Sequence, residues 1–422
     1  MQIKTLTITC TLSACFLFCC SLSSCQARTK ARAEAEKNTL HEAVPGKMQQ
    51  PLVLGDERTD QYLPLLKDKR VALFSNHSGM VNGKHILDLL LEQGINVTAI
   101  FSPEHGFRGR ADAGEHVKSS VDAETGVPIL SLYDGKIGRP NDENMRRFDA
   151  LVVDIQDVGL RFYTYYASMC RLMDACAQFD REVVVLDRPN PNGHYVDGPL
   201  LDIKYKSAVG WLPLPVVHGL TLGEMAQMIN GEGWLSDRRK CRLTVVPCLG
   251  YSHRTPYRLS VAPSPNLPNM RSIYLYPSIC YFEATPVSLG RGTDKPFQIY
   301  GHPLMKDESH SFCFTPESRP GAKQPPLLGK TCYGIDLSHL NEDSLHNLRQ
   351  IDLSYLIDAY RTLKKTAPQQ RFFTSFFEKL IGNGEIRGMI EAGRSAGEIR
   401  ATWQDDVERF KKQRKKYLLY EE

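Results

Sequence analysis

The chain has 422 residues, of which 42% are hydrophobic and 24% charged, a composition typical of globular proteins and a length that allows two domains. Its formal net charge is only +4, from 52 basic and 48 acidic residues, so no overall positive field favours a nucleic-acid partner. The composition also excludes the disordered, collagen-like and coiled-coil classes.

The N-terminus predicts an export signal followed by a tether. Lys4 precedes an apolar stretch that ends in Leu22-Ser23-Ser24-Cys25. This end resembles a bacterial lipobox, in which the cysteine is lipidated and becomes the new N-terminus; a plain signal peptide cleaved nearby is the alternative. We therefore expect a signal peptide over residues 1–24, lipidation of Cys25 and a polar tether over residues 25–48.

Apolar, β-branched runs alternate with helical patterns in residues 49–250. This alternation predicts an α/β domain with a doubly wound, mostly parallel sheet that helices cover on both faces. Strands are predicted at residues 70–75, 97–101, 127–132, 150–155, 183–186 and 243–246, and helices at residues 85–93, 163–178 and 221–229.

The sequence pattern changes at Tyr251, after which prolines become frequent and long stretches with hydrophobic periodicity become rare. We expect a second domain, or a large lobe over the edge of the sheet, to occupy residues 251–422. Within it, residues 316–329 predict an exposed loop, and helical spacing returns at residues 372–381, 385–392 and 399–418.

Polar clusters follow three of the predicted strands. They are Ser102-Pro103-Glu104-His105-Gly106, Asp154-Ile155-Gln156-Asp157 and Asp187-Arg188-Pro189-Asn190-Pro191. Side chains just past the carboxyl ends of parallel strands converge in one crevice, although they are distant in sequence. The pattern therefore predicts an enzyme with a polar, carboxylate-bearing pocket.

Glu104 is the first candidate for acid or base catalysis. It stands between Pro103 and Gly106, in a loop directly after a strand, where a carboxyl group can reach a substrate. The alternative is an inert carboxylate whose charge is held by Arg108 or Arg110.

Asp154 and Asp157 form the second candidate group, with Arg161 close in sequence. Two such carboxylates can form a metal site, a proton-sharing pair or a structural ion-pair network. We favour one carboxylate that orients a substrate or catalytic group and one that anchors the loop, because this segment supplies too few ligands for a metal. Tyr163 and Tyr165 could present a ring or a hydroxyl to a sugar, with core packing as the alternative.

Two arginines and a further carboxylate complete the candidate set. Arg188 could clamp a substrate carboxylate, or pair with Asp187 to stabilise its loop. Glu283 follows an apolar run and is the best second carboxylate. Arg291 stands between two glycines, which suits either an anion contact or a simple turn. The sequence contains no P-loop, G-x-S-x-G elbow or dinucleotide fingerprint, so no nucleotide cofactor is expected.

Several long motifs occur in a fixed order, namely Phe101-Ser102-Pro103-Glu104-His105-Gly106-Phe107-Arg108-Gly109, Asp154-Ile155-Gln156-Asp157-Val158-Gly159, Leu186-Asp187-Arg188-Pro189-Asn190-Pro191, Val217-His218-Gly219-Leu220-Thr221, Pro263-Ser264-Pro265-Asn266-Leu267-Pro268 and Gly290-Arg291-Gly292-Thr293. Together they resemble the motifs of the NamZ-type exo-β-N-acetylmuramidases, a glycoside hydrolase family formerly described as a domain of unknown function. The resemblance covers the chain from about Val53 to its end.

This resemblance implies a Rossmann-like domain joined to a smaller α/β domain, with a cleft between them that releases N-acetylmuramic acid from the non-reducing end of peptidoglycan fragments. It implies Glu104 as the general acid, while Glu283, Asp157 and the substrate's own N-acetyl group all stay open as the second group. No metal or organic cofactor is required. The residues expected to bind substrate are Asn76, His105, Asp154, Arg161, Tyr163, Asp187, Arg188, Asn190, His218, Asn266 and Arg291.

Two other classes of function stay open, a non-catalytic lipoprotein that binds cell-wall saccharides and a metal-dependent hydrolase that uses Asp154 and Asp157. In the main hypothesis the partners are peptidoglycan-derived saccharides and, through the lipid anchor, a membrane, with no nucleic acid. We expect the protein in the cell envelope, on the periplasmic side of a bacterial membrane, with the outer membrane favoured. The oligomeric state and the stereochemical course of hydrolysis stay open.

Overall fold

The computed structural model describes residues 50–103, 107, 120–132 and 138–422. Pro51–Glu422 form one compact unit. The predicted signal peptide, the tether and Cys25 lie outside the described residues, as do Glu104 and His105. No helix in the described ranges combines the length and the apolar character that crossing a bilayer requires.

The centre of the molecule is a seven-stranded sheet with the order β5-β6-β4-β1-β7-β8-β9. All neighbouring strands pair in parallel except β5, which pairs with β6 in the antiparallel sense. A two-stranded ribbon, β2-β3, lies outside this sheet. The strands up to this point are β1 (Arg70–Ser75), β2 (Met80–Val81), β3 (Lys84–His85), β4 (Asn96–Ser102), β5 (Ser120–Val121), β6 (Pro128–Ser131), β7 (Ala150–Asp154), β8 (Glu182–Leu186) and β9 (Arg242–Val246).

The predicted mostly parallel, doubly wound sheet is confirmed, and its order explains where polar side chains gather. Without β5, the strand order is that of the dinucleotide-binding α/β folds, and the order reverses at β1. In β1 the last residue, Ser75, pairs with Asp154 of β7, and on its other side Phe74 pairs with Phe101 of β4. Ligands of such sheets bind outside the carboxyl ends of the strands at this reversal.

Helices cover both faces of the sheet because the strands between them are apolar on both sides. Every residue of β7 is buried, for example. The predicted capping box at Thr221 is present, with its hydroxyl accepting a hydrogen bond from the Glu224 N–H. The helices are α1 (Thr59–Leu66), α2 (Ile86–Glu92), α3 (Asp142–Met145), α4 (Tyr165–Phe179), α5 (Leu222–Gly231), α6 (Met270–Ile279), α7 (Glu342–Leu348), α8 (Ser354–Thr366), α9 (Phe377–Ile381), α10 (Ile386–Glu391), α11 (Ala396–Ala401) and α12 (Gln404–Arg414).

The second domain contains a small antiparallel sheet with the order β10-β12-β11, which the sequence reading did not predict. Its strands are β10 (Ile299–His302), β11 (Phe312–Phe314) and β12 (Cys332–Asp336). All three strands are short, and β11 and β12 are only partly buried, so their apolar alternation is weak. The position of the domain boundary at residues 250/251 stays a prediction.

One helix prediction in the second domain was wrong, and one helix was not predicted. The helix without a prediction is α6, which forms although Pro277 lies inside it. The single helix predicted at residues 399–418 is two helices that separate at Trp403, whose buried indole Nε1 donates to Asp197 at 2.8 Å. A buried tertiary contact of this kind breaks a helix without any local sequence signal.

Candidate active site

A cavity lies where the start of α4 meets the second domain. It is about 90 Å³ in volume and is lined by Phe162, Tyr163, Thr164, Tyr165, Val209, Ser264, Asn266, Leu267, Tyr276, Glu283, Arg291 and Phe297. A second cavity of about 350 Å³ shares Glu283 and Arg291 as lining residues. The larger cavity is within the size range of small-molecule sites. Together they form the candidate active site.

Glu283 and Arg291 form an ion pair in the wall between these two cavities. Arg291 Nη2 donates to Glu283 Oε1 at 2.6 Å, and the side chains are 18% and 24% exposed, respectively. Glu283 is carried by a short 3-10 turn, Cys280–Ala284, that directly continues α6. Burial acts to lower the pKa of Arg291, but the carboxylate of Glu283 outweighs it and raises that pKa. This carboxylate and this cation are both accessible from the cavities.

The glycines that flank Arg291 are required by the backbone. Gly290 and Gly292 have φ values of 86° and 78°, and a Cβ on Gly292 would lie 2.5 Å from Pro325. The Thr293 N–H donates to the Gly290 carbonyl at 3.1 Å, which closes a turn. The segment therefore forms the predicted turn, and Arg291 in this turn donates to the carboxylate of Glu283, whereas its contact with a substrate anion stays a prediction.

Tyrosine hydroxyls connect this cavity to the edge of the central sheet. The hydroxyls of Tyr163 and Tyr165 donate to the Pro263 carbonyl at 2.9 and 3.3 Å. Tyr165 also accepts a hydrogen bond of 2.9 Å from Nδ2 of Asn76, the first residue after β1. Asn266 lines the same cavity and donates from Nδ2 to the Gly321 carbonyl at 2.9 Å. The structure thus brings Asn76, Tyr163, Tyr165 and Asn266 to one place.

Asp157 is buried, and only one of its two carboxylate oxygens accepts a hydrogen bond from a described residue. Oδ1 accepts from the Gly159 N–H at 2.7 Å, while Oδ2 is buried and has no hydrogen-bond partner among the described residues. Burial raises the pKa of Asp157 to about 7, against the opposing effect of the Gly159 N–H. A carboxyl group with this pKa can hold or release a proton near neutral pH.

Arg188 lies in a buried network with two carboxylates. Its Nε donates to Asp154 Oδ1 at 2.6 Å, and its Nη2 donates to Asp56 Oδ2. The Arg188 side chain is 6% exposed and both aspartates are fully buried. Burial, reinforced by the charge of Asp154, raises the pKa of Asp56 to about 8. The sequence reading missed Asp56, because nothing local links it to a motif more than a hundred residues away.

Asp187 stabilises the neighbouring loop. Its carboxylate accepts from the Thr221 hydroxyl at 2.7 Å, the Gly223 N–H at 2.8 Å and the Tyr420 hydroxyl at 2.6 Å. Burial raises its pKa to about 6. Asn190 holds the same loop by donating from Nδ2 to the Leu220 carbonyl at 2.9 Å.

Arg161 and His218 are buried in the interior. Arg161 is fully buried and donates to four backbone carbonyls, those of Pro199, Leu214, Leu380 and Ile381, at 2.7 to 3.0 Å. His218 Nδ1 accepts from the Leu220 N–H at 3.1 Å, and burial, aided by the charge of Arg414, lowers its pKa to about 3. In this structure Arg161 joins distant segments of the chain. Substrate contacts stay predictions for the following residues: Asp154, Arg161, Asp187, Arg188, Asn190 and His218.

The part of the chain that the structure describes contains no group of three or more His, Cys, Asp or Glu side chains arranged to hold a metal ion. Asp154 directs its oxygens at Arg188, whereas Asp157 accepts from its own loop. The two aspartates therefore do not form a shared oxygen site between described residues.

A larger cavity, of about 730 Å³, lies at the opposite edge of the sheet. Arg70 and Asn96, the first residues of β1 and β4, line it together with Lys67 and Lys69. In open α/β sheets ligands bind at the carboxyl ends of the strands, so volume alone does not make this cavity the active site.

Comparison with known proteins supports the same interpretation. The family model described as exo-β-N-acetylmuramidase NamZ, N-terminal, matches residues 71–271, and the C-terminal model of that family matches residues 274–420. The chain is 38% identical over 383 residues to peptidoglycan β-N-acetylmuramidase NamZ of Bacillus subtilis, which covers 86% of this chain and 90% of the relative.

Two crystal structures of DUF1343 family proteins from Bacteroides fragilis have the same fold. One is 59% identical, with a TM-score of 0.81, and the match covers 88% of this chain and all of that one. The other is 28% identical, with a TM-score of 0.75, and the match covers 88% and 99% of the two chains. With both family models matching in sequence order, the chain belongs to the exo-β-N-acetylmuramidase NamZ family.

Proposed function

We propose that this glycosidase releases N-acetylmuramic acid from the non-reducing end of peptidoglycan fragments, with Glu104 as the general acid. The observation that carries the proposal is the hydrogen bond between Asn76 and Tyr165, which joins the carboxyl edge of the sheet to the candidate cavity. The activity named for the Bacillus relative supports the same reaction class.

The sequence position of Glu104 supports this role. Glu104 follows Ser102, the last residue of β4, by two residues. β4 is the neighbour of β1, whose next residue, Asn76, contacts Tyr165 in the wall of the cavity. β4 therefore ends, two residues before Glu104 in sequence, at the same edge of the sheet as Asn76.

Glycoside hydrolysis requires a proton donor for the leaving oxygen and a negative group near the anomeric carbon. Glu283 suits the second role, because its carboxyl group lines both cavities beside Arg291. Asp157 is the alternative candidate for the second group, and its raised pKa of about 7 suits it to exchange a proton near neutral pH. The lactyl carboxylate of muramic acid needs a cation, and Arg291 has donors beyond the one that binds Glu283.

The decisive experiment is the substitution Glu104→Gln, assayed with a chromogenic β-N-acetylmuramide and with a muramyl-capped disaccharide whose products are followed by NMR. We expect turnover to fall by about three orders of magnitude, the combined effect of lost proton donation and lost electrostatic stabilisation. Glu92→Gln on the exposed end of α2 is the matched control and should keep full activity.

Two results would reject the proposal. Near-normal turnover of Glu104→Gln would remove this residue from the mechanism. Binding of the disaccharide by the wild-type protein without release of free muramic acid would show a saccharide-binding protein instead of an enzyme.

We also propose that Cys25 carries a lipid that anchors the protein in the cell envelope, on the periplasmic side of a bacterial membrane. The lipobox-like segment supports this proposal. Cys25→Ala should abolish incorporation of a labelled fatty acid and move the protein out of the detergent phase. A variant that still carries an acyl chain would refute the anchor.

A further inference from the structure

A cavity of about 330 Å³ opens along the outer side of α4, separate from the candidate active site. Two tryptophans, Trp211 and Trp234, form part of its wall. Three cationic side chains, Arg139, Arg171 and Lys206, line the same space. This combination of indole rings and positive charge is unlike the apolar surroundings of a structural void.

The cations are arranged around the Trp211 ring. The guanidinium carbon of Arg171 lies 4.1 Å from the ring centroid, and Nζ of Lys206 lies 3.9 Å from it. Both distances are within the range of cation–π attraction, which holds these side chains in place at the cavity. Lys206 makes no ion pair with any residue that the structure describes, so its charge is available to a ligand.

Asp174 is the one acidic residue lining this cavity in the described part of the chain, and its oxygens are already used. They accept from the N–H and the hydroxyl of Ser236 at 2.7 and 3.0 Å. The cavity therefore presents an excess of positive charge beside aromatic surface. Cationic donors bind carboxylates and phosphates, and indole rings pack against the apolar faces of a ligand.

The position of the cavity connects it with the candidate active site. α4 begins with Tyr165, which lines the active-site cavity, and Arg171 follows six residues later, about 9 Å along the helix. On the facing segment, Val209 lines the active-site cavity and Trp211 lines this one. An extended saccharide that starts in the first cavity has the length to reach the second.

We propose that this cavity, formed by Arg139, Arg171, Lys206, Trp211 and Trp234, binds a carboxylate-bearing saccharide unit further along the same glycan chain. The proposal rests on the proposed function, since it assigns to that enzyme a preference for longer anionic substrates. Cation pairing with the carboxylate and packing against indole supply the affinity.

The test compares two substrates in the wild type and in the double variant Lys206→Gln/Arg139→Gln. For an oligosaccharide of alternating N-acetylmuramic acid and N-acetylglucosamine, headed by muramic acid, we expect KM to rise about 10-fold. For the single-sugar chromogenic muramide, which does not extend beyond the first cavity, we expect unchanged kinetics. An unchanged KM for the oligosaccharide, or equal losses on both substrates, would overturn the inference.

Lys204→Gln is the matched control. Lys204 also lies over an aromatic ring, 5.0 Å from the Tyr205 centroid, but it pairs with Asp202 at 2.7 Å and does not line the cavity. Its substitution should leave both substrates unaffected. An effect equal to that of the double variant would show a general loss of surface charge instead of a site.

A direct binding measurement keeps this inference separate from the proposed function. If the wild type releases no muramic acid, the proposed function fails, and calorimetric titration of the oligosaccharide then tests the cavity alone. We expect affinity to weaken about 10-fold in the double variant and in the wild type titrated with a carboxyl-reduced oligosaccharide. Equal affinity in all three titrations, or no binding to the wild type, would reject the site.

Discussion

Two arginine–carboxylate pairs in this protein look alike in sequence and differ completely in their surroundings. Asp154 ends β7 and Arg188 follows β8 in the central sheet, and the side chains of Arg188 and Asp154 are 6% and 0% exposed. Arg291 and Glu283 belong to the second domain, and they remain 18% and 24% exposed in the wall of a cavity. The first pair is enclosed by the fold, whereas the second is accessible from a cavity.

The physical difference is desolvation. A fully buried ion pair loses its hydration, and removing one partner leaves an unpaired charge in a poorly polarisable interior. The buried network contains a second carboxyl group, Asp56, whose pKa is raised by burial and by the charge of Asp154, so Arg188 lies between two enclosed acidic side chains. A partly exposed pair keeps access to water and to the cavity, so its loss is expected to affect chemistry more than folding.

Arg188→Ala should have the largest effect on stability. It leaves Asp154 buried without its cation, and we expect the free energy of unfolding to fall by about 3–5 kcal/mol. Denaturation with urea measures this change. Asp56→Asn is the milder comparison, because it leaves Arg188 paired with Asp154. If Arg188→Ala folds normally and raises KM for muramic substrates, Arg188 contacts the substrate, as the sequence predicts.

Arg291→Ala should show the opposite profile. We expect a 10- to 100-fold loss of kcat/KM on a β-N-acetylmuramide, about 1.4–2.7 kcal/mol of transition-state stabilisation, with less than about 1 kcal/mol lost in unfolding. The loss should be much smaller on a glucosaminide, which lacks the lactyl carboxylate. Arg291→Lys, which keeps the charge, should recover part of the activity. Equal losses on both substrates would reject lactyl recognition by this residue.

Gly382→Ala tests a third arginine, Arg161, which is buried like Arg188. Gly382 has φ of 73°, and a Cβ there would lie 2.5 Å from Nη2 of Arg161. We expect a loss of about 1–3 kcal/mol, seen as a lower Tm, from backbone strain and displacement of that guanidinium. Gly388→Ala in α10 is the control, because a Cβ there meets no atom within 4 Å. It should leave Tm unchanged or raise it.

The pH dependence of stability should show the smallest effect. Burial raises the pKa of Asp157 to about 7, so between the unfolded value of about 4 and pH 7 the folded state holds a proton that the unfolded state has lost. Stability contributed by Asp157 therefore falls as pH rises through this window. Asp157→Asn should remove about 1 kcal/mol of that decline between pH 6 and 7. An identical decline in the variant would contradict the raised pKa.

Much of the central sheet could be predicted from local patterns. Parallel strands that are buried on both faces produce continuous apolar runs, and the runs at residues 70–75 and 150–155 match β1 and β7 within a residue. The second domain gave weaker signals, because β11 and β12 are short and partly exposed. α6 was also not predicted, because proline is disfavoured inside a helix and Pro277 lies inside this one.

The candidate site was predictable in composition but not in arrangement. The sequence indicated that Glu283 and Arg291 were polar groups with a possible role, and the structure pairs them in one wall. It could not indicate that Asp56 closes the Arg188 network or that Tyr165 links Asn76 to the cavity. These contacts join segments that are 89 or more residues apart in the chain.

By itself, the sequence determined the main strands of the parallel sheet, the position of three polar motifs at the ends of predicted strands, and the family to which those motifs belong. Periodicity and strand direction are local properties, so they can be read from neighbouring residues. Only the tertiary structure decided which charged side chains are enclosed and which remain accessible. Burial depends on what distant segments bring against a residue, and burial determines whether a carboxylate such as Asp154 or Glu283 stabilises the fold or faces a ligand.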